Sequence, residues 1–347
     1  MATTLRPRQP AEGLAAKRPR PIVWFAALGG LILAVEVWVF ARWIISDDFR
    51  RADVGSDPVP THTLLGVRVM EVGGVALALF MAWRAWRTSR REGRPSTQAV
   101  LIVAFATLWW QDPGIGWGRP GFFYNAYFVN MSSWTGYLPG AINPTASRLP
   151  EPLLCMGAAY IYGIMLAGLF VAGSMRRTRR RFPGISVAGL VAVGVVAAIL
   201  LDLLVELVFI RVGLYAYPAA VHAFSVWGGT RWQFPVYESI FWGPVWAVAG
   251  ILYYFRDDKG HTFIEQGVER LQSRTWQGVV RVLAVVALMN IVYGVYNVLM
   301  IWTTFQADPM PAGIPSWLIA GQCGPGTHYA CPSPYLPIPL THSGPNQ

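Results

Sequence analysis

The chain has 347 residues, 54% of them hydrophobic and only 13% charged, with a mean hydropathy of +0.39. Soluble domains carry about 25% charged residues, so composition alone reads as a polytopic membrane protein. The net charge of +10 does not mark a nucleic-acid binder, because the arginines fall in short clusters between apolar runs.

Seven runs are long enough, or nearly so, to cross a hydrocarbon core of ~30 Å. They lie at about 22–45, 64–86, 97–111, 153–175, 185–210, 235–255 and 279–305. The expected fold is all-α: a polytopic integral membrane bundle of about seven transmembrane helices over 21–305. Residues 1–20 are expected to form a disordered cytoplasmic tail and 306–347 an irregular external one.

The first run follows a basic segment but is too long for a signal-peptide core, and no small-x-small site follows it, so it reads as an uncleaved span. In the second run Arg68 stands one turn from Glu71, a structural ion pair. The third rises only about 22 Å. The segment after it, 112–152, is long and aromatic, with Phe122, Phe123, Tyr124, Tyr127, Phe128, Trp134 and Tyr137. Such a loop is expected to fold over the outer helix ends as a lid, or to form an aromatic belt at the interface.

The fifth run ends in AILLDLLVELVFIR, where Asp202 and Glu206 share a helix face at i and i+4. Glu238 opens the sixth run, and Gly243-Pro244 lies within it. Phe263, Ile264, Val268 and Leu271 recur at helical spacing in 256–277, which predicts a surface helix. Asn290, Tyr293 and Asn297 share a face of the seventh run. In the tail, Cys323 and Cys331 are expected to form a disulfide outside the cell, with two free thiols as the alternative.

Cation counting orients the bundle. Nineteen Lys and Arg fall in the N-terminal tail and in the loops after runs two, four and six, against six on the opposite side. The N-terminus is therefore expected in the cytoplasm and the C-terminus outside it, in the cell membrane. In this frame all seven embedded or flanking acids, Glu36, Glu71, Asp112, Glu151, Asp202, Glu206 and Glu238, lie in the outer half. They either face a polar cavity or pair with Arg68, Arg119, Arg148, Arg211 and Arg231 to fix helix packing.

No His cluster, HExxH or P-loop is present, and the only lysines, Lys17 and Lys259, lie outside the runs. No metal and no cofactor are expected. Carboxylates, Asn, Tyr and Trp in a partly apolar cavity suit acid–base chemistry on a lipophilic substrate, or proton-coupled transport.

Two stretches carry a family likeness: WWQDPGIGWGRPGFFYNAYFVNMSSWTGYLPG (109–140) and YPAAVHAFSVWGGTRWQFPVYESIFWG (217–243). They resemble the AveC-like spirocyclases, integral membrane proteins of actinobacterial secondary metabolism, and the likeness runs from the first span to about Ile319. The resemblance implies closure of a dihydroxy-ketone into a spiroketal, and dehydration, on a polyketide- or terpenoid-like substrate. It supplies no catalytic set.

From the residues themselves, Asp202, Glu206 and Glu238 are the candidate acids and bases. Tyr124, Asn125, Tyr127, Asn130, Trp134, Trp227, Arg231, Tyr237, Asn290, Tyr293 and Asn297 are the candidate substrate contacts. The expected partners are a lipophilic small molecule and membrane lipid, with no nucleic acid. The cytoplasmic loops are candidates for recruiting biosynthetic partner enzymes. A transporter or a binding protein for a lipophilic molecule is the alternative function, and a non-catalytic scaffold a third.

Overall fold

The computed structural model describes residues 21–334, so the expected disordered tail 1–20 and the end of the 306–347 tail lie outside the described residues. The bundle consists of α1 (Pro21–Ile44), α2 (Thr61–Glu92), α3 (Thr97–Ala106), α4 (Cys155–Arg181), α5 (Val187–Val212), α6 (Val236–Tyr254) and α7 (Arg274–Thr304). Side-chain hydroxyls of Ser96, Ser186 and Ser273 cap α3, α5 and α7 by accepting a first-turn N–H.

Five helices, α1, α2, α4, α5 and α7, are long and apolar enough to cross a membrane. The ten residues of α3 are too few, rising about 15 Å. The third apolar run stops being α-helical at Ala106, well short of 111. The chain then passes into a 3-10 stretch, Trp109–Trp117, where Pro113 lacks the N–H that a continuing helix would use. α6 has 19 residues, with Glu238 in its first turn and Pro244 inside, and it falls short of the other five in apolarity.

α1 lies along α7, α6 is flanked by α4 and α5, α2 packs on α4, and α3 fits between α4 and α7. The α4–α6 contact is close because Gly250 has no side chain: a Cβ there would stand 3.0 Å from the Gly168 carbonyl oxygen.

The loop 112–152 folds over one end of the bundle. Trp134, fully buried, sits edge-on to Phe40, Trp43 and Trp109 with ring centroids 4.8, 5.1 and 4.9 Å away. At the end of α5, Gly213 takes φ 82°, a conformation costly for any residue with a Cβ. The turn sends the chain into β2 (Tyr215–Ala216), which pairs antiparallel with β1 (Phe123–Tyr124) of the loop. Residues 306–334 carry little regular structure beyond α8 (Ser316–Ile319), but they are packed: Trp317, Leu318 and Cys323 cluster with Phe123 and Ala216. Cys323 and Cys331 are joined by a disulfide. Arg68 and Glu71 form an ion pair, and Glu71 also accepts the Val129 N–H at 2.6 Å, tying α2 to the loop.

The 256–277 segment is not a helix. Two 3-10 turns, Phe263–Glu265 and Val268–Arg270, are separated by Gly267 at φ 88°, which a right-handed helix cannot contain. Ile264 and Leu271 nonetheless pack against a core of Ile22, Val268 and Ala284. The segment is anchored by a buried ion pair, Arg281 Nε to Glu265 Oε1 at 2.6 Å, whose other carboxylate oxygen accepts the Thr262 N–H at 2.7 Å. Glu265→Leu leaves Arg281 uncompensated and should cost about 3–5 kcal/mol. Thermal melts of the detergent-purified variant check this, and an unchanged Tm would show that the pair contributes nothing.

Candidate functional site

A cavity of 460 Å³ lies between α4, α5, α6 and α7 beneath the loop. Its wall is mostly apolar, but two carboxyl clusters face into it.

The first cluster is built from α5 and α6. Asp202 and Glu206 come from one face of α5, and Glu238 from the first turn of α6, so that one carboxylate oxygen of each lies within 4.8 Å of the others. The sequence-derived candidates are thus brought together. Both oxygens of Glu206 accept phenol protons, from Tyr215 at 2.6 Å and Tyr217 at 3.1 Å. Glu238 accepts from Tyr296 at 3.0 Å. Asp202 and Glu238 contact each other, and Asp202 Oδ2 and Glu238 Oε2 receive no donor. Glu206 and Glu238 line the cavity, with Asp202 behind them. By distance the three oxygens could meet on a cation, but both oxygens of Glu206 are already taken up by phenols.

The second cluster joins the two ends of the loop. Asp112, in the 3-10 stretch, accepts from Tyr124 at 2.6 Å and from Tyr160, whose hydroxyl also meets that of Tyr293. Asp112 keeps some accessible area because it looks into the cavity, although protein surrounds it. Glu151 stands behind it, accepting the Trp109 indole N–H at 2.8 Å. Burial raises the Asp112 carboxyl above the usual range, opposed by its phenol donors. Glu151 is raised well above its ordinary 4.5, first by burial and then by the charge of Asp112. Both shifts disfavour a second negative charge on the pair, the larger push falling on Glu151.

Aromatic rings separate the clusters. Trp242 meets Tyr293 and Tyr296 edge-on at 5.1 and 4.9 Å, and Phe122 packs on Tyr124, Tyr215 and Tyr217 at 4.7–5.0 Å. Between α4 and α5 the wall includes Gly163, Leu166, Phe170 and Val205. Leu166 and Phe170 are 43% and 48% exposed, so the cavity reaches the apolar flank of the bundle.

The arginine network, the alternative to a polar cavity, is not what surrounds these acids. Among the described residues no arginine or lysine pairs with Asp112, Glu151, Asp202, Glu206 or Glu238. Arg119 and Arg148 instead donate to the carbonyls of Ser333 and Gly321. Arg211 lies over Trp227, and Arg231 over Trp232.

Of the expected substrate contacts, Tyr124 and Tyr293 line the cavity and the others do not. Asn125 bonds the Gly213 carbonyl and the Tyr127 N–H, holding the turn. Tyr127 packs toward the tail. Asn130 accepts the Ala52 N–H and donates to Ala126 and Phe128. Trp134 is core. Asn290 takes the Trp110 and Gln111 side chains, and Asn297 donates to the Gln111 carbonyl, so both fix the 3-10 stretch to α7. Tyr237 accepts the Val221 N–H. Trp227 and Arg231 are exposed at the surface. For Asn125, Asn130, Asn297 and Tyr237 the polar group is consumed by backbone that the loops leave unpaired.

Sequence reasoning missed Tyr160, Tyr215, Tyr217, Trp242 and Tyr296 as site residues, and treated Asp112 and Glu151 only as loop flanks. A signal was present: Tyr215-Ala216-Tyr217 alternates as a strand, and a tyrosine buried among apolar residues needs a partner for its hydroxyl.

Fold and site together define a helical bundle with membrane-length helices that encloses paired carboxyls and phenols around an apolar cavity. The model of the family described as "Spirocyclase AveC-like" matches residues 92–317, and the chain belongs to that family. The match begins at the end of α2, so α1 and nearly all of α2 lie outside it. No curated protein matches the chain, and no solved structure does.

The raised Glu151 carboxyl has a measurable consequence. Because folded Glu151 binds its proton more tightly than the unfolded chain does, its stabilising contribution is complete below 4.5 and is lost as pH rises through the folded value. Glu151→Gln keeps the donor, and its Tm should fall less than that of the parent as pH rises above the ordinary 4.5 toward the raised folded value. Identical pH dependence in both proteins would place the proton elsewhere.

Proposed function

We propose that this protein is a membrane-embedded spirocyclase-type enzyme, closing an oxygenated lipophilic substrate into a ketal, or removing water from it, by acid–base catalysis. The observation that carries the reading is the set of five cation-free carboxyl groups at one apolar cavity, whose wall includes seven tyrosines. The family membership supports the same chemistry.

In this reading Glu238, in contact with Asp202, holds a proton, and Glu206, fixed by two phenols, is the base. Glu238 protonates the hydroxyl of a hemiketal, and water leaves with the C–O bonding pair. The resulting oxocarbenium ion is stabilised by the carboxylates and by the faces of Trp242 and Phe122. A second hydroxyl attacks the carbon and Glu206 takes its proton, so the net change is the loss of one water. Elimination uses the same two groups, with Glu206 removing a carbon-bound proton. Asp112 and its phenols meet the far end of an extended substrate.

We also place all seven helices in the membrane, α3 and α6 because they pack within the bundle, with the N-terminus cytoplasmic on the strength of the cation asymmetry. A transporter needs access from both sides. The side of the bundle away from the loop is closed here by Val171, Met175, Leu190, Ala198 and Ala247, all fully buried.

Glu206→Gln and Glu238→Gln should each lower conversion by about 10²–10⁴-fold. The test is metabolite profiling of a deletion strain complemented with parent or variant, where a precursor heavier than the product by one water accumulates. Redistribution of one unchanged compound between cells and medium would instead establish transport. A second test concerns the route in. Nothing lies within 4 Å of a Cβ built on Gly163, so Gly163→Trp should fold normally while obstructing the cavity. Its conversion rate should drop at unchanged Tm, and full activity would move the entrance elsewhere.

A further inference from the structure

At the end of the bundle away from the acids lies a second cavity, of 410 Å³, that the proposed chemistry does not use. It forms where the end of α2, the start of α3, the turn after α6 and the side of α7 meet. Five cations line it, Arg84, Arg94, Arg256, Lys259 and Arg281, against two acids, Glu92 and Asp258. Arg281 is compensated by Glu265, and Arg94 lies 3.8 Å from Glu92. Arg84, Arg256 and Lys259 form no ion pair among the described residues. The guanidinium of Arg256 rests over Tyr253 at 4.1 Å, which holds it at the rim.

The floor is positive as well. Pro95, Ser96, Thr97 and Gln98 line the cavity, and the first-turn N–H groups of Thr97 and Gln98 have no carbonyl within α3 to bond. α3 has no acid in its first turn. His261 is lowered from its ordinary 6.5 first by burial and then by Arg281, with Asp257 and Glu265 opposing.

We propose that this pocket binds a phosphate group. Cations from three separate segments converge on a concave polar space, and an oxyanion with several acceptor oxygens answers all of them together. The surroundings favour the phosphate of an anionic lipid headgroup over a soluble one. Phe80, Trp83 and Trp86 of α2 are about half exposed beside it, and they carry Arg84, Arg87 and Arg90 on their faces. That is the pattern of a helix end at a membrane interface.

The test uses the full-length protein purified in neutral detergent, with Tm and binding measured against three probes: short-chain phosphatidylglycerol, phosphatidylcholine, and inorganic phosphate at matched ionic strength. Phosphatidylglycerol should raise the Tm and phosphatidylcholine should not. The double variant Arg256→Ala/Lys259→Ala should bind phosphatidylglycerol at least about tenfold more weakly. A control, Arg176→Ala/Arg177→Ala on α4, should bind like the parent. Stabilisation by inorganic phosphate alone, lost in the same double variant, would keep the site and assign it to a soluble phosphate. Binding that is absent, unchanged in the double variant, or weakened equally by the control substitutions would overturn the proposal.

Discussion

Holding carboxyl groups out of water without cations is the constraint on which the rest of this molecule depends. An ionised carboxylate moved from water into an apolar interior carries a large desolvation cost. Two devices offset that cost here. Phenol donors satisfy the carboxyl oxygens, from Tyr215 and Tyr217 to Glu206, from Tyr296 to Glu238, and from Tyr124 and Tyr160 to Asp112. A second carboxyl behind each front one, Asp202 behind Glu238 and Glu151 behind Asp112, gives a proton somewhere to reside. An ion pair would neutralise the acids as well, but it would fix their charge state. Carboxyl pairs with phenols leave the proton free to move.

The layer over the bundle exists to deliver those phenols. Tyr215 and Tyr217 reach Glu206 because Gly213 ends α5 and turns the chain back, and because β2 is held by β1 of the loop. Tyr124 arrives from the other strand of the same ladder. The tail clamps this arrangement from outside, with the Ala126 N–H donating to the Trp317 carbonyl at 2.8 Å. The asparagines that looked like substrate contacts are the fasteners of this layer. A long loop without regular ladders leaves many backbone groups unpaired, and Asn125, Asn130, Asn143 and Asn297 bond them.

The two ends of the bundle are chemically opposite. One gathers acids around an apolar cavity, and the other gathers cations around a polar one. The buried Arg281–Glu265 pair stands at the second end, where the chain between α6 and α7 must be held without a helix of its own. The two sites share no residue, so the acid cavity and the basic pocket can be altered independently.

Several features were fixed by the sequence itself. The long apolar helices follow from run length, and the shared face of Asp202 and Glu206 follows from a spacing of four. The Arg68–Glu71 pair and the family likeness were legible for the same reason: each rests on residues near one another in the chain. The surface helix expected over 256–277 is broken at Gly260 and Gly267, whose left-handed conformations a pattern of apolar spacing does not reveal, and at the extended Gln266 and Leu271. Only the tertiary structure decided which residues meet across the bundle. Glu238 comes to Asp202 from the next helix, Glu151 reaches Asp112 from the far end of a loop, and Tyr293 and Tyr160 approach the same carboxylate from α7 and α4. Local propensity sets what a segment becomes. The choice of partner for a buried polar group is set by helix packing and loop closure, which no short stretch of sequence contains.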